Sequence, residues 1–246
     1  MKHSFTLLVL LGCLLNVQAQ KYDNTWLWGI YPQNQNNTQY PFHGNAYGVF
    51  DNDTFISNAK FRGMTFSEAN NSISDPNDGK LLFYTNGFCV RDTNSQIIEN
   101  GDSLGYCPTW HTENGVFGSR IIWDLITLPS PEKDSVYKLI YLRFDDLITS
   151  TSSMCYADLL HTSNSLKLTS KDFKFTTANP SDGGLAACKH GNGRDWWVIF
   201  IEQNSNCFYK YLLTPDTFMF HSIQCIGRPI DEADICNNAF SPDGYK

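Results

Sequence analysis

His190 and Asp195 are the residues whose types best suit acid–base chemistry, a general base and the carboxylate that would orient it. They bracket Gly191, Asn192 and Gly193, and the simpler account is that both tie down a turn between two strands. No serine in a Gly-x-Ser-x-Gly setting stands ready to complete a nucleophilic triad. Cys188-Lys189-His190 offers two metal ligands, but a third and fourth are not in view, and no Cys-x-x-Cys pair exists.

Asp75-Pro76-Asn77-Asp78-Gly79 has the oxygen-rich look of a calcium loop. The twelfth position counted from Asp75 is Asn86, which lacks the bidentate carboxylate an EF-hand needs, so a plain β-turn is the expectation. Asp231-Glu232-Ala233-Asp234 could hold a cation or supply the paired carboxylates of sugar hydrolysis; solvated loop charge is the default for such a cluster. The Ser-x-Asp-x-Gly-x-Thr-Trp box of a sialidase-like site is missing. Trp26, Trp28, Trp110, Trp123, Trp196 and Trp197 are candidate sugar-stacking surfaces. Adjacent residues of a strand point to opposite faces, so Trp196 and Trp197 are expected to be buried on the two packed faces of a sheet. Trp110, in the polar stretch Cys107-Pro108-Thr109-Trp110-His111, is the better candidate for an exposed ring.

The elements that must carry these residues emerge from self-similarity. Four apolar runs recur: Trp26–Ile30, Leu81–Tyr84, Leu139–Leu142 and Trp196–Phe200. The polar residues just ahead of them, Asp23, Lys80, Lys138 and Asp195, stand 57, 58 and 57 residues apart. A strand-like piece and a Pro/Asn/Asp/Gly turn precede each of the last three runs, and further polar breaks and strands follow. No helical stripe runs over a dozen residues. The pattern predicts an all-β chain, a β-propeller of four-stranded antiparallel blades. Phe240-Ser241-Pro242-Asp243-Gly244 reads as the opening of a further blade, so the expectation is an incomplete propeller of about four repeats. Its first and last blade faces would then lack neighbours, and self-association is expected.

Lys2 and His3 give a short basic start, Phe5 to Leu15 is apolar, and Val17-Gln18-Ala19 offers small residues for a peptidase. A signal peptide over residues 1–19 and a propeller domain over 20–246 are expected. Leu10-Leu11-Gly12-Cys13 resembles a lipoprotein box, but the apolar run continues past it, which favours ordinary cleavage. No later stretch is long and apolar enough for a transmembrane helix. The chain has 246 residues, 17 % of them charged, with a net charge of −7, which argues against nucleic acid or an anionic membrane as the main partner. Removal of Cys13 leaves seven cysteines, an odd number in an oxidising compartment. Cys225 and Cys236, with Gly227 and Pro229 between them, form the expected short staple.

Asp78-Gly79-Lys80-Leu81-Leu82-Phe83-Tyr84-Thr85-Asn86-Gly87, followed by Glu99-Asn100-Gly101, resembles the first blade of secreted propeller proteins of Bacteroidetes-type bacteria. Lys189-His190-Gly191-Asn192-Gly193-Arg194-Asp195-Trp196-Trp197 and the turn at Phe240–Gly244 are similar to later blades of that family. The resemblance implies an extracellular or surface-attached binding role and transfers no catalytic residues. Its members typically carry a C-terminal signal for type IX secretion or a gliding-motility-associated domain, which this sequence does not contain. Two functions follow. One is an exported, non-catalytic binding or scaffold propeller whose extracellular ligand is a glycan or a protein, with no cofactor, metal or catalytic residue assigned. The other is a propeller hydrolase acting on glycans.

Overall fold

The structure, a computed structural model, describes residues 21–29, 45–51, 54–60, 62–66, 69–106, 124–146, 151–231 and 238–241. The signal-peptide segment, Cys13, Cys107–His111, Trp123, Glu232–Asp234, Cys236 and Pro242–Gly244 lie outside them. The described residues are all-β, without a helix, and none of their segments is a helix long and apolar enough to cross a membrane. Among the described residues, fourteen strands form four small antiparallel sheets, each an up-and-down meander in chain order.

Sheet one contains β1 (Thr25–Trp28), β2 (Ala46–Asp51) and β3 (Thr54–Ala59). Sheet two contains β4 (Asn71–Ser74), β5 (Leu81–Thr85) and β6 (Val90–Asp92). Sheet three contains β7 (Leu125–Pro129), β8 (Val136–Asp146), β9 (Thr151–Thr162) and β10 (Ser165–Lys174). Sheet four contains β11 (Ala186–Lys189), β12 (Trp196–Ile201), β13 (Cys207–Leu213) and β14 (Phe218–Cys225). Three of the repeated runs occupy one structural position: Leu81–Tyr84, Leu139–Leu142 and Trp196–Phe200 fall in β5, β8 and β12, each the second strand of its own sheet. The first run does not. Residues 26–28 lie in β1, which opens sheet one and pairs with β2. Sheets one and two have three described strands where four per unit were expected.

The turn residues act as their chemistry predicts. Asp75 Oδ1 accepts the amides of Asn77 (2.8 Å) and Asp78 (3.3 Å), an Asx turn closed by the Gly79 amide on Asp75 O (2.9 Å). Gly79 adopts φ 75°, and a side chain there would strike the Asn24 amide. Apolar faces of successive sheets pack on one another. One core runs through Ile73 and Phe83 of sheet two, Leu139, Tyr141 and Leu159 of sheet three, and Val198 and Phe200 of sheet four. Phe83 meets Tyr137 edge to face at 5.2 Å, and Tyr156 meets Phe218 at 5.8 Å. A second core, around Leu27, Met64, Phe66 and Tyr84, joins sheets one and two. Trp196 donates its indole hydrogen to Pro129 O at 3.0 Å, and Asp124 accepts the amides of Gly183 and Leu185, so both tie sheet four to sheet three.

The disulfide corrects the expected staple. Cys225 bonds to Cys207, not to Cys236. The two are direct partners in the β13–β14 register, which brings them together across the hairpin, whereas nearness in sequence to Cys236 is no guide to pairing. Cys89, Cys155 and Cys188 are free thiols.

Candidate functional site

The polar residues singled out in the sequence serve their own turns. His190 Nδ1 accepts the Asn192 amide at 3.1 Å, and the His190 amide reaches Asp195 O at 2.9 Å. The Asp195 carboxylate accepts Arg194 Nε and Asn192 Nδ2, both at 2.8 Å. The Arg194 guanidinium holds that carboxyl below the ordinary carboxylate range, the wrong direction for a base working near neutrality. Lys189 Nζ lies 3.9 Å from the centre of the Trp196 ring and donates to Arg194 O, while burial pushes the Cys188 thiol up, away from the thiolate a metal would need. Asn86, the twelfth position of the would-be calcium loop, is spent in another turn, accepting the amides of Phe88 and Cys89. Asp231 is exposed.

The tryptophans separate into two kinds. Trp196 and Trp197 are half-buried, Trp196 against the main core and Trp197 between the rings of His190 (5.2 Å) and His221 (4.8 Å). Trp26 and Trp28 are on the surface. In β1, Thr25 and Leu27 turn inward, while Trp26 is 52 % and Trp28 37 % exposed. The register sets Trp26 opposite Gly48 and Trp28 opposite Ala46, and pairs Phe50 with Phe55. Period-2 alternation then assembles Trp26, Trp28, Ala46, Gly48, Phe50, Phe55, Ser57 and Ala59 on one face of sheet one, none of them charged. The rings form a continuous patch: Trp26 meets Phe50 at 5.4 Å, Phe50 meets Phe55 at 5.0 Å, and Phe55 lies nearly parallel to Trp28 at 6.2 Å. Gly48 is the floor. A Cβ there would sit 2.2 Å from the Phe55 ring. Phe50 and Phe55 are 45 % and 47 % exposed, so four large aromatics face solvent together, which single scattered apolar residues do not do.

The sequence marked Trp26 and Trp28 as possible sugar-stacking surfaces but passed over Phe50, Phe55 and Gly48. The usable signal was the Trp-Leu-Trp alternation followed by a strand with glycine at its centre.

A polar cleft of about 440 Å³ opens at the end of sheets two and three where their tight turns gather. Asp75 comes from the β4–β5 turn, Asp134, Ser135 and Tyr137 from the β7–β8 hairpin, His161 from the end of β9, and Tyr22 from the segment before β1. Tyr22 and Tyr137 meet edge to face at 6.5 Å. Burial first, and the Asp134 and Asp75 charges after it, raise the Tyr22 hydroxyl above its ordinary value, and burial lowers the His161 imidazole. The cleft thus presents neutral hydroxyls and two carboxylates, groups suited to holding a polyhydroxylated or cationic ligand.

Comparison of the chain with protein-family models, with curated proteins and with solved structures finds no match.

Proposed function

We propose that this chain is an exported, non-catalytic binding module of the β-propeller type, whose sheets are successive blades and whose ligand outside the cell is a glycan. The observation that carries the reading is the uncharged platform of Trp26, Trp28, Phe50 and Phe55. The C–H faces of a sugar ring stack on the electron-rich faces of aromatic rings, and the sheet that sets those rings side by side, packed on one another, lowers the ordering cost at binding. The evenly spaced runs at the second strand of three sheets support the propeller architecture. The basic and apolar start of the chain and the resemblance to secreted Bacteroidetes-type propellers support export, by the type IX route in that family.

The test is affinity electrophoresis and isothermal titration of the chain against a panel of soluble polysaccharides. At least one is expected to bind and to quench tryptophan fluorescence. Trp26→Ala and Phe55→Ala are each expected to weaken it about tenfold, equivalent to ~1.4 kcal/mol. A panel in which nothing binds, or variants that bind as the native chain does, would remove the glycan reading. Release of reducing ends from a bound polymer would favour a propeller hydrolase instead. For export, N-terminal sequencing of the secreted protein is expected to begin at Gln20; a lipid-modified Cys13 would overturn ordinary cleavage.

A further inference from the structure

On the face of sheet one opposite the aromatic platform, a second groove of about 440 Å³ runs between Tyr47, Val49, Ile56 and Asn58 and the β4–β5 turn, with Phe50 on its rim. Its charged lining is Lys21, Arg62 and Lys80 against a single carboxylate, Asp78. Asp78 already pairs with Lys80 at 2.7 Å, which leaves two positive charges in one groove of a chain whose net charge is −7.

Arg62 is the unusual member. It is only 4 % exposed. Its guanidinium carbon lies 5.5 Å from the centre of the Tyr47 ring and 5.6 Å from that of Tyr84, so two tyrosines hold it. Among the described residues one long hydrogen bond, Nη1 to Thr93 O at 3.4 Å, accompanies these contacts, while the buried Nε has no hydrogen-bond partner there. No carboxylate pairs with Arg62 or with Lys21 among the described residues. Buried charges in proteins are normally paired, because desolvating an ion costs several kcal/mol that an opposite charge must offset. Cation–π contacts with the two rings offset part of that cost and supply no opposite charge. Lys21 lines the same groove from the side of the β4–β5 turn, its Cδ close to the position a Gly79 side chain would take.

We infer that this groove receives the anionic group of an acidic sugar, a uronate carboxylate or a sulfate ester, with Arg62 at its base and Lys21 and Lys80 at its mouth. The inference rests on the glycan reading proposed above and narrows it: the neutral rings of the ligand lie on the Trp26–Phe55 platform while an acidic substituent passes the end of the sheet at Phe50 and enters the groove on its other face. Arginine suits the role because its planar fork matches carboxylate and sulfate oxygens, and the tyrosine rings fix that plane in advance.

The experiment titrates the chain with a galacturonate oligomer, a sulfated galactan oligomer and a neutral galactan oligomer of matched length, at 50 and 300 mM NaCl. One acidic oligomer is expected to bind about tenfold tighter than the neutral one at low salt and to lose most of that advantage at high salt. Which acid wins identifies the substituent. Lys21→Gln/Lys80→Gln, which alters only side chains at the mouth, is expected to reduce the preference several-fold. Arg62→Lys, which keeps the charge but not the fork, is expected to reduce it as well. Equal affinity for acidic and neutral oligomers, or a preference untouched by the lysine double variant, would overturn the inference and leave the glycan reading standing. Failure of all three oligomers to bind would overturn the inference, and failure of the wider polysaccharide panel as well would overturn the glycan reading with it.

Discussion

Tyr141 donates its hydroxyl hydrogen to Asp172 Oδ1 at 2.7 Å, and the Tyr141 hydroxyl oxygen in turn accepts the Asp172 amide hydrogen at 2.8 Å. This reciprocal pair reaches across β9, from β8 to the edge strand β10 of sheet three. It holds Asp172 at φ 57°, within the irregular pairing between Ser170 and Phe173 where β10 bends. Asp172 Oδ1 also accepts the Gly105 amide at 2.8 Å, so the segment leaving sheet two is anchored to the same point. Tyr141 itself is fully buried. Tyr141→Phe keeps the ring and leaves the Asp172 amide and carboxylate short of a partner, so it is expected to cost about 1–3 kcal/mol, read as a lower urea midpoint at unchanged slope. A midpoint equal to that of the native chain would show that solvent replaces the hydroxyl without loss.

The disulfide gives a second expectation. Cys207 and Cys225 enclose a hairpin with a sequence separation of 18, and closing a loop of that size in the unfolded chain is worth about 3 kcal/mol. Peptide mapping without reduction is expected to recover a Cys207–Cys225 cross-link. Reduction, or Cys225→Ser, is expected to lower stability by that order and to loosen β14 first, since among the described residues β14 pairs with β13 alone. A cross-link from Cys225 to Cys236 would reinstate the staple suggested by the short spacing.

How far the sequence could be read depends on the range over which each feature is decided. The second strands of three sheets were legible because Leu81–Tyr84, Leu139–Leu142 and Trp196–Phe200 are dense apolar runs bounded by local turn chemistry. The turn at Asp75 was legible for the same reason: an aspartate accepts the amides two and three residues on without help from the rest of the fold. Cys207 was not legible as the partner of Cys225, because the Thr214–Thr217 turn and a register shift within the hairpin decide which residues face each other. Nor was the aromatic platform. Period 2 places Trp26 and Trp28 on one face, but whether another sheet covers that face is a tertiary fact. Arg62 stood out least, since nothing about an isolated arginine says that two tyrosines will bury it.

The platform makes its own demand on Gly48. An added methyl group would collide with the tip of the Phe55 ring and touch Trp28 at 3.0 Å. Phe55 is an exposed side chain free to swing outward, so Gly48→Ala is expected to change stability by less than about 1 kcal/mol. The swing breaks the near-parallel Trp28–Phe55 pair, and glycan affinity is expected to fall at least about fivefold, or ~1 kcal/mol. Native affinity in a variant with altered tryptophan emission would mean that Phe55 takes no part in binding.

Asp124 sets the expected response to pH. Its carboxylate is almost wholly buried and accepts the amides of Gly183 at 2.6 Å and Leu185 at 2.9 Å, while its own carbonyl accepts the Leu142 amide. Burial raises its pKa from 3.8 to about 7, outweighing the two amide hydrogen bonds that favour the charged form. A folded-state value above the unfolded one means that the folded chain binds the proton more tightly. Its contribution is therefore fully present below pH 4 and lost as the pH rises toward 7. The amount is on the order of 4 kcal/mol, delivered at the joint between sheets three and four. Urea midpoints are expected to fall between pH 4.5 and pH 8. Asp124→Asn, which cannot ionise and retains one carbonyl acceptor, is expected to be less stable than the native chain at pH 4.5 and to close that gap by pH 8. Equal pH slopes in the native chain and the variant would show that the amides of Gly183 and Leu185 suffice to keep Asp124 ionised, and that the pH dependence arises elsewhere.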